Sequence, residues 1–252
     1  KPGTALVDAW VRERKLDTQA SAVIGDRDTD LAFGKNLGLR ALRVRAGGDH
    51  GDTWPAVVRE LLARRATVTR ATRETNITVR VDLDAHEPVR AHTGIGFFDH
   101  MLEQLGKHGG FALELDCKGD LQVDEHHTVE DCALALGEAL RKALGDKRGL
   151  ARYGFLLPMD EARAQVAIDL SGRPHAVFEG AFKREAIGTL PTELVPHFFR
   201  SLSDALGAAI HVSVVGDNTH HMIEACFKGV GRALRMALRR EGDDLPSTQA
   251  TL

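Results

Sequence analysis

The chemistry in this sequence is concentrated in His126-His127-Thr128-Val129-Glu130, which recurs as His220-His221-Met222-Ile223-Glu224. Residues 126–144 align with 220–238 without a gap, and ten of the nineteen positions are identical, which argues for internal duplication. On a helix the glutamate lies four residues after one histidine and three after the other, so its carboxylate can share a face with either imidazole. The two adjacent imidazoles point about 100° apart around the same helix. One ion cannot easily take both, so the doubled motif predicts two metal ions, with the two histidines of each helix sent to different ones. Imidazole with carboxylate suits Mn, Fe or Zn, and the lack of a paired cysteine motif argues against a structural zinc knot. Solvated histidines in a first helical turn would explain one copy, but not two at matching positions.

A third histidine accompanies each motif. His100, in Phe98-Asp99-His100-Met101, precedes His126 by 26 residues, and His197, in Val195-Pro196-His197-Phe198, precedes His220 by 23. His100, His126, His127, His197, His220 and His221 with Glu130 and Glu224 suffice for two ions, each with three imidazoles and one carboxylate. That set leaves positions open for substrate, as catalytic sites require. Arg152 and Arg173 suit bidentate phosphate binding, and Lys228, eight residues after His220, adds a point charge. Glu74 and Glu161 each stand eight residues before an Asp-Leu pair, Asp82-Leu83 and Asp169-Leu170.

The elements that must hold these groups follow from periodicity. Val129, Ala133, Leu136, Leu140 and Leu144, and their counterparts Ile223, Phe227, Val230, Leu234 and Leu238, step by 4, 3, 4 and 4, which predicts a helix after each motif. Ile77, Val79, Val81 and Leu83 alternate with polar residues and predict a half-buried strand. Strands near 89–93 and 111–117 with a helix at 97–107 complete a β-β-α-β-α unit with the first motif helix. Strands at 164–170, 175–180 and 209–215 with a helix at 192–206 repeat it. The expected fold class is α+β, with duplicated halves at about 67–150 and 151–252. Upstream, a helix at 4–16, a strand at 21–25, an acidic turn and helix through Leu37, a strand at 40–44 and a helix at 54–65 form half of a parallel α/β unit. The turn-rich stretch 46–53 interrupts it, and a domain boundary near Ala66 follows, giving domains 1–66 and 67–252.

The 252 residues, 43% hydrophobic and 27% charged, are ordinary for a globular protein. A formal net charge of −3 without a basic stripe argues against a nucleic-acid partner, and no apolar run approaches membrane-spanning length. No signal peptide is visible, and Cys117, Cys132 and Cys226, an odd number, fit buried free thiols, so a cytoplasmic location is expected. The start at Lys1 rather than Met suggests a fragment or a processed chain.

Residues 67–252 resemble the imidazoleglycerol-phosphate dehydratase family. The motifs that carry the resemblance are Gly94-Ile95-Gly96-Phe97-Phe98-Asp99-His100-Met101-Leu102, His126-His127-Thr128-Val129-Glu130-Asp131, Ser171-Gly172-Arg173-Pro174-His175 and His220-His221-Met222-Ile223-Glu224. About the first sixty residues resemble the end of a haloacid-dehalogenase-type domain of the histidinol-phosphate phosphatase kind, through Gly25-Asp26-Arg27-Asp28-Thr29-Asp30. There Asp26 and Asp30, with Lys1, would serve phosphoryl and Mg²⁺ chemistry. No DxDGT-like nucleophile motif is present, so no phosphatase activity is expected of this chain.

The dehydratase resemblance implies a hydro-lyase of histidine biosynthesis that converts imidazole glycerol phosphate to imidazole acetol phosphate. It implies two Mn²⁺ per active site, a ribosomal protein S5 domain 2-like fold in each half and a homo-oligomer of about 24 subunits. The reaction must take a proton from the carbon side chain of an imidazole and expel hydroxide without a carbonyl. Two ions holding the ring as imidazolate would let it proceed through a diazafulvene-like intermediate. Glu74 matches the family's acid/base position, with Glu161 as its rival, and Glu130 and Glu224 complete the catalytic carboxylates. Gln104, Arg152, Arg173, Lys228 and Ser247 match positions that hold substrate or phosphate. Gln249 departs from the family's usual lysine, which would weaken or move one phosphate contact. Two alternatives share much of this ligand set. A dinuclear metallophosphatase would release phosphate from many esters, whereas a non-catalytic metal-binding assembly would bind metals without turnover.

Overall fold

The first unit, residues Lys1–Ala63, contains α1 (Ala5–Glu13), β1 (Ala22–Gly25), α2 (Asp28–Asn36), β2 (Arg40–Arg43) and α3 (Trp54–Leu62) in a computed structural model that describes residues 3–13, 21–45 and 51–247. Strands β1 and β2 pair in parallel around the crossover helix α2. The acidic turn starts that helix: Asp28 and Asp30 lie in its first turn, and the Asp30 carboxylate accepts from the Arg27 N–H at 3.3 Å. Asp28 is paired with Arg43 at the end of β2. A Cβ on Gly25 would stand 2.3 Å from the Asp30 side chain, so glycine is required where strand meets turn. Lys1, the last three positions of the helix expected at 4–16, and residues 46–50 lie outside the described residues.

The second unit, Arg64–Leu252, carries the two copies of the histidine motif. Its first half runs β3 (Arg65–Ala71), β4 (Thr75–Asp82), β5 (Val89–His92), α4 (Gly96–Gly109), β6 (Ala112–Gly119) and α5 (His126–Leu144). The second runs β7 (Tyr153–Met159), β8 (Ala162–Asp169), β9 (His175–Glu179), the short pair β10 (Ala186–Ile187) and β11 (Leu190–Pro191), α6 (Leu194–Leu206), β12 (Ala209–Val215) and α7 (Thr219–Ala237). The sheets have matching orders, β3-β4-β6-β5 and β7-β8-β12-β9. In each the first two pairings are antiparallel and the last is parallel.

The β-β-α-β-α reading therefore misses the strand that opens each four-stranded sheet, β3 and β7, and in the second half also the short pair β10–β11. Strands β3 and β7 are edge strands with weak apolar alternation: β3 presents only Ala66, Val68 and Arg70 inward, and β7 contains Pro158. Arg65, expected at the end of a helix, instead begins β3, and α3 stops at Leu62.

The predicted helical stripes are the core. Val129, Ala133, Leu136, Leu140 and Leu144 of α5 and Ile223, Phe227, Val230 and Leu234 of α7 with Leu238 are all buried. All three cysteines are free and buried. Helices α4 and α5 pack on the first sheet and α6 and α7 on the second, while α5 packs on α6 and α4 on α7. The halves thus meet through their helices. Phe98 of α4 meets Phe198 of α6 edge-on at 5.6 Å, and Phe198 and Phe199 each pack against Phe227 in a tilted arrangement at 4.9 Å. Each such buried ring contributes about 1.5–3 kcal/mol. No helix of the described residues is long and apolar enough to cross a membrane.

Two glycines at equivalent places in the repeated helices set how closely these pairs approach. A Cβ on Gly137 of α5 would lie 3.0 Å from the Leu202 carbonyl oxygen and 2.7 Å from Ala205 Cβ of α6. One on Gly231 of α7 would lie 2.6 Å from the Leu105 carbonyl oxygen and 3.0 Å from the Gly109 nitrogen of α4. Backbone cannot yield as a flexible side chain can. Gly137→Ala and Gly231→Ala are therefore each expected to destabilise the protein by about 1–3 kcal/mol, despite alanine's better helix propensity. Gly96→Ala, where no atom lies within 4 Å, serves as the control in denaturant unfolding and should change stability little.

Candidate metal centre

The helix crossings assemble the histidines into two clusters, each drawing on both halves. In the first, His126 and Glu130 of α5 meet His197 of α6. Glu130 Oε2 lies 3.3 Å from His126 Nε2 and 3.5 Å from His197 Nε2, and one ligand atom from each residue lies within 4.8 Å of the others. The two imidazole centroids are 4.7 Å apart. In the second, His220 and Glu224 of α7 meet His100 of α4, with Glu224 Oε2 3.5 Å from His220 Nε2 and Oε1 3.8 Å from His100 Nε2. The third histidine of each half thus serves the other half's helix, a pairing that sequence spacing cannot reveal.

The first cluster fits a divalent cation. Ligands about 2.1 Å from one ion stand up to about 4.2 Å apart, which admits both measured N···O separations. His197 Nε2 is buried without a hydrogen-bond partner among the described residues, an arrangement that a metal ion would satisfy. In the second cluster Glu224 is also engaged by Lys228, four residues on, whose Nζ lies 2.8 Å from Oε1. Lys228, expected to face phosphate, therefore has a carboxylate partner and additionally touches Met159 Sδ at 3.4 Å.

His127 and His221 turn away from these clusters. Their rings stand at 84° and 90° to those of His126 and His220, with centroids 6.2 and 6.0 Å apart. His127 Nδ1 lies 3.1 Å from an Asp120 oxygen, and His221 Nδ1 lies 2.9 Å from Glu161 Oε2. Each carboxylate fixes its ring's tautomer and aims Nε2 outward, as carboxylates behind metal-ligating histidines do. Asp120 raises the His127 pKa above the ordinary histidine value, with a smaller push from Glu74. Glu161 does the same to His221 and is itself held below the usual carboxylate range by that ring. Asp120 was not singled out from the sequence, because seven residues and a strand-to-helix loop separate it from His127.

The two candidate proton carriers differ. Glu161 is committed to the His221 ring and to the Asn218 N–H at 3.0 Å. The exposed Glu74 carboxylate accepts no hydrogen bond from the described residues, and only its backbone N–H is held, by Thr72 Oγ1 at 3.2 Å.

The candidate phosphate ligands are dispersed. Gln104 is half-buried on α4, four residues after His100 and so on its face. Arg173 is exposed on the turn after β8. Arg152, with a left-handed φ of 69°, gives Nε and Nη2 to Asp169 at 2.5 and 2.9 Å and Nη1 to the Pro246 carbonyl at 2.8 Å, just before Ser247. Asp169, seventeen residues from its arginine, was likewise not foreseen. Gln249 lies outside the described residues.

Comparison with known proteins decides what such a site belongs to. The sequence profile described as imidazoleglycerol-phosphate dehydratase matches residues 93–234, and one described as HAD-hydrolase-like matches residues 1–62. The histidine biosynthesis bifunctional protein HisB of Stenotrophomonas maltophilia (strain R551-3) is 55% identical over 255 residues, which span all of this chain and 71% of that protein. The chain belongs to the imidazoleglycerol-phosphate dehydratase family. It is thus a hydro-lyase of histidine biosynthesis that carries a haloacid-dehalogenase-like segment. The HisB protein of Xanthomonas axonopodis pv. citri (strain 306) is 52% identical over 273 residues, covering all of this chain and 73% of its own. The crystal structure of the dehydratase from Staphylococcus aureus superposes with a TM-score of 0.62 at 36% identity, over 70% of this chain and 99% of that one. The Pyrococcus furiosus enzyme in complex with (S)-C348 gives 0.64 at 33%, over 73% of this chain and 100% of that one. Glu74 and Ser247 lie outside the dehydratase profile match, whereas every candidate metal ligand lies within it.

The Lys228–Glu224 pair yields a test that needs no substrate. Burial pushes the Glu224 carboxyl up, but the Lys228 ammonium outweighs it and holds it below the usual carboxylate range. A carboxylate with a depressed folded-state pKa contributes stability above its unfolded pKa, and loses it as pH falls through the folded value. Lys228→Met removes the chief group opposing burial and leaves only the weaker influence of His100 and His220. The metal-free variant is therefore expected to lose about 3 kcal/mol at neutral pH, and the difference should shrink at acid pH as the wild-type carboxylate, held below its usual range, is itself protonated. Denaturant unfolding at the two pH values measures the difference.

Proposed function

We propose that this chain dehydrates imidazole glycerol phosphate to imidazole acetol phosphate at a site holding two Mn²⁺ ions. The observation that carries the reading is the pair of reciprocal His-Glu clusters, flanked by two histidines whose free nitrogens aim elsewhere. His126, Glu130 and His197 would hold one ion, and His100, His220 and Glu224 would take part in the other. Bound divalent cations would supply Lewis acidity toward the substrate's imidazole nitrogens and its departing hydroxyl.

The chain's own groups account for the rest. The carbon that becomes the ketone must lose a proton while hydroxyl leaves the carbon beside the ring. Glu74 is the carboxylate suited to that transfer, because Glu161 is tied to His221 and Asn218. Gln104, Arg173, Lys228, Arg152 and Ser247 are the proposed substrate and phosphate contacts. Two N–H bonds of Arg152 remain after its bonds to Asp169 and Pro246, one on each Nη, and could serve a phosphate.

His127 and His221 belong in this reading to ions completed by neighbouring subunits, which makes a large symmetric assembly part of the active site. The two halves of residues 67–252 are read as an internal duplication, supported by the repeated motif and the matching sheet orders. The segment up to about residue 66 is read as part of a phosphatase-type domain.

The deciding assay supplies imidazole glycerol phosphate with and without Mn²⁺. Mn²⁺-dependent formation of the ketone without phosphate release is expected, and phosphate release instead would sink the proposal. Glu74→Gln should lower kcat by roughly 10²–10⁴-fold with metal content retained. Glu161→Gln should chiefly weaken metal binding, by about 10–100-fold, through His221. A Glu74→Gln enzyme of near-normal turnover would transfer the role to Glu161.

A second expectation concerns size. If His127 and His221 bind ions of neighbouring subunits, chelating the metal, or protonating the histidines at low pH, gives a smaller oligomer, and adding Mn²⁺ restores it. Light scattering on stripped and reloaded protein checks this, and an unchanged mass after complete metal loss would refute shared sites.

A further inference from the structure

We infer that Asp131 is a positioning residue that clamps the turn carrying Glu74 to the metal-ligand helix α5; its bearing on turnover rests on the proton-transfer reading of Glu74. Asp131 follows Glu130 directly and is 8% exposed, a charge set among Val129, Cys132 and Ala133 on the buried side of the helix. Its Oδ1 accepts from Arg70 Nε of β3 at 2.9 Å, and its Oδ2 accepts from Thr75 Oγ1 at the start of β4 at 2.6 Å. Those donors stand on either side of the turn at 72–74. A buried carboxylate with two such donors makes strong, directional contacts.

Thr72 Oγ1 closes the turn from within, accepting from the N–H groups of Glu74 at 3.2 Å and Thr75 at 2.9 Å, while the Thr72 N–H donates to the Thr75 carbonyl at 2.9 Å. Glu74 is therefore fixed through its backbone. Its carboxylate stays uncommitted, as a proton carrier requires.

The second half shows what the clamp replaces. There Ala225 follows Glu224 where Asp131 follows Glu130, and Ala162 follows Glu161 where Thr75 follows Glu74. With neither clamp residue, Glu161 is held by its own carboxylate on His221 and Asn218. The two acids are immobilised by different means, and only the means used for Glu74 leaves a carboxylate available.

The test uses the Mn²⁺-loaded full chain. Asp131→Ala, and Thr75→Val as the milder variant should the first not fold, are expected to lower kcat roughly 10–100-fold while KM stays within about twofold, with metal content unchanged. Amide hydrogen exchange at residues 72–76 should rise by about tenfold or more with the rest of β4 unaffected, and Thr75→Ser should restore both. In a Glu74→Gln background Asp131→Ala should cost nothing further. Unchanged exchange at the turn, or an equal loss in that background, overturns the inference. A loosened turn in Asp131→Ala alongside a fully active Glu74→Gln enzyme would instead support the clamp and defeat the proton-transfer assignment.

Discussion

The crossing of α5 on α6 and of α4 on α7 is the constraint on which the rest of the second unit depends. Each crossing presses a glycine of one helix against the backbone of the other, and Gly137 and Gly231 occupy the same place in the repeated helices. A close crossing fixes the relative rotation of two helices because their ridges have few ways to interlock. That rotation brings His197 beside Glu130 and His100 beside Glu224. A looser crossing would still bury the apolar stripes but would separate imidazole from carboxylate. The glycines cost helix propensity, and what they provide is proximity between the two halves.

Electrostatics then sorts the eight candidate ligands into two kinds. Four histidines, His100, His126, His197 and His220, keep Nε2 within 3.3–3.8 Å of a motif glutamate. His127 and His221 instead take a carboxylate on Nδ1 and present Nε2 outward. A histidine can do this because its nitrogens lie on opposite sides of the ring, one available to fix the tautomer and the other to bind. The near-perpendicular planes of neighbouring rings on one helix follow from the turn angle between successive residues. Geometry thus separates the four histidines beside the motif glutamates from the two that are not.

Much of this was legible in the sequence, for reasons that particular residues make plain. The α5 span of His126–Leu144 follows from a stripe whose period no strand could satisfy, and all five of its positions are buried. Pairing Lys228 with Glu224 was also within reach, since the two are four residues apart on a helix. The partnership of His197 with Glu130 was not, because spacing along the chain carries no information about which helix crosses which. Strands β3 and β7 lack a clear signal because β3 turns only Ala66, Val68 and Arg70 inward and β7 contains Pro158. Asp131 was available as a signal, being a lone charge within an apolar stripe. Its role depends on Arg70 and Thr75, which are distant in the sequence and lie against it only in the fold.

Divergence between the halves marks where chemistry is asymmetric. Core positions of the repeated helices tolerate exchange among apolar residues, such as Val129 for Ile223 or Leu136 for Val230, because volume and patterning suffice there. Asp131 against Ala225 is a different kind of change. A buried carboxylate persists only where donors compensate its desolvation, so Arg70 and Thr75 must accompany it. Its replacement by alanine in the other half requires that those donors be absent too, and Ala162 stands where Thr75 would. The two differences therefore go together, carboxylate and donor being present in one half and absent from the other. The first half retains a polar brace beneath Glu74, and the second replaces it with a direct bond between Glu161 and the His221 ring. Two carboxylates at matching positions have thereby acquired opposite relations to their surroundings: the Glu161 carboxylate is bound, and that of Glu74 is exposed and uncommitted.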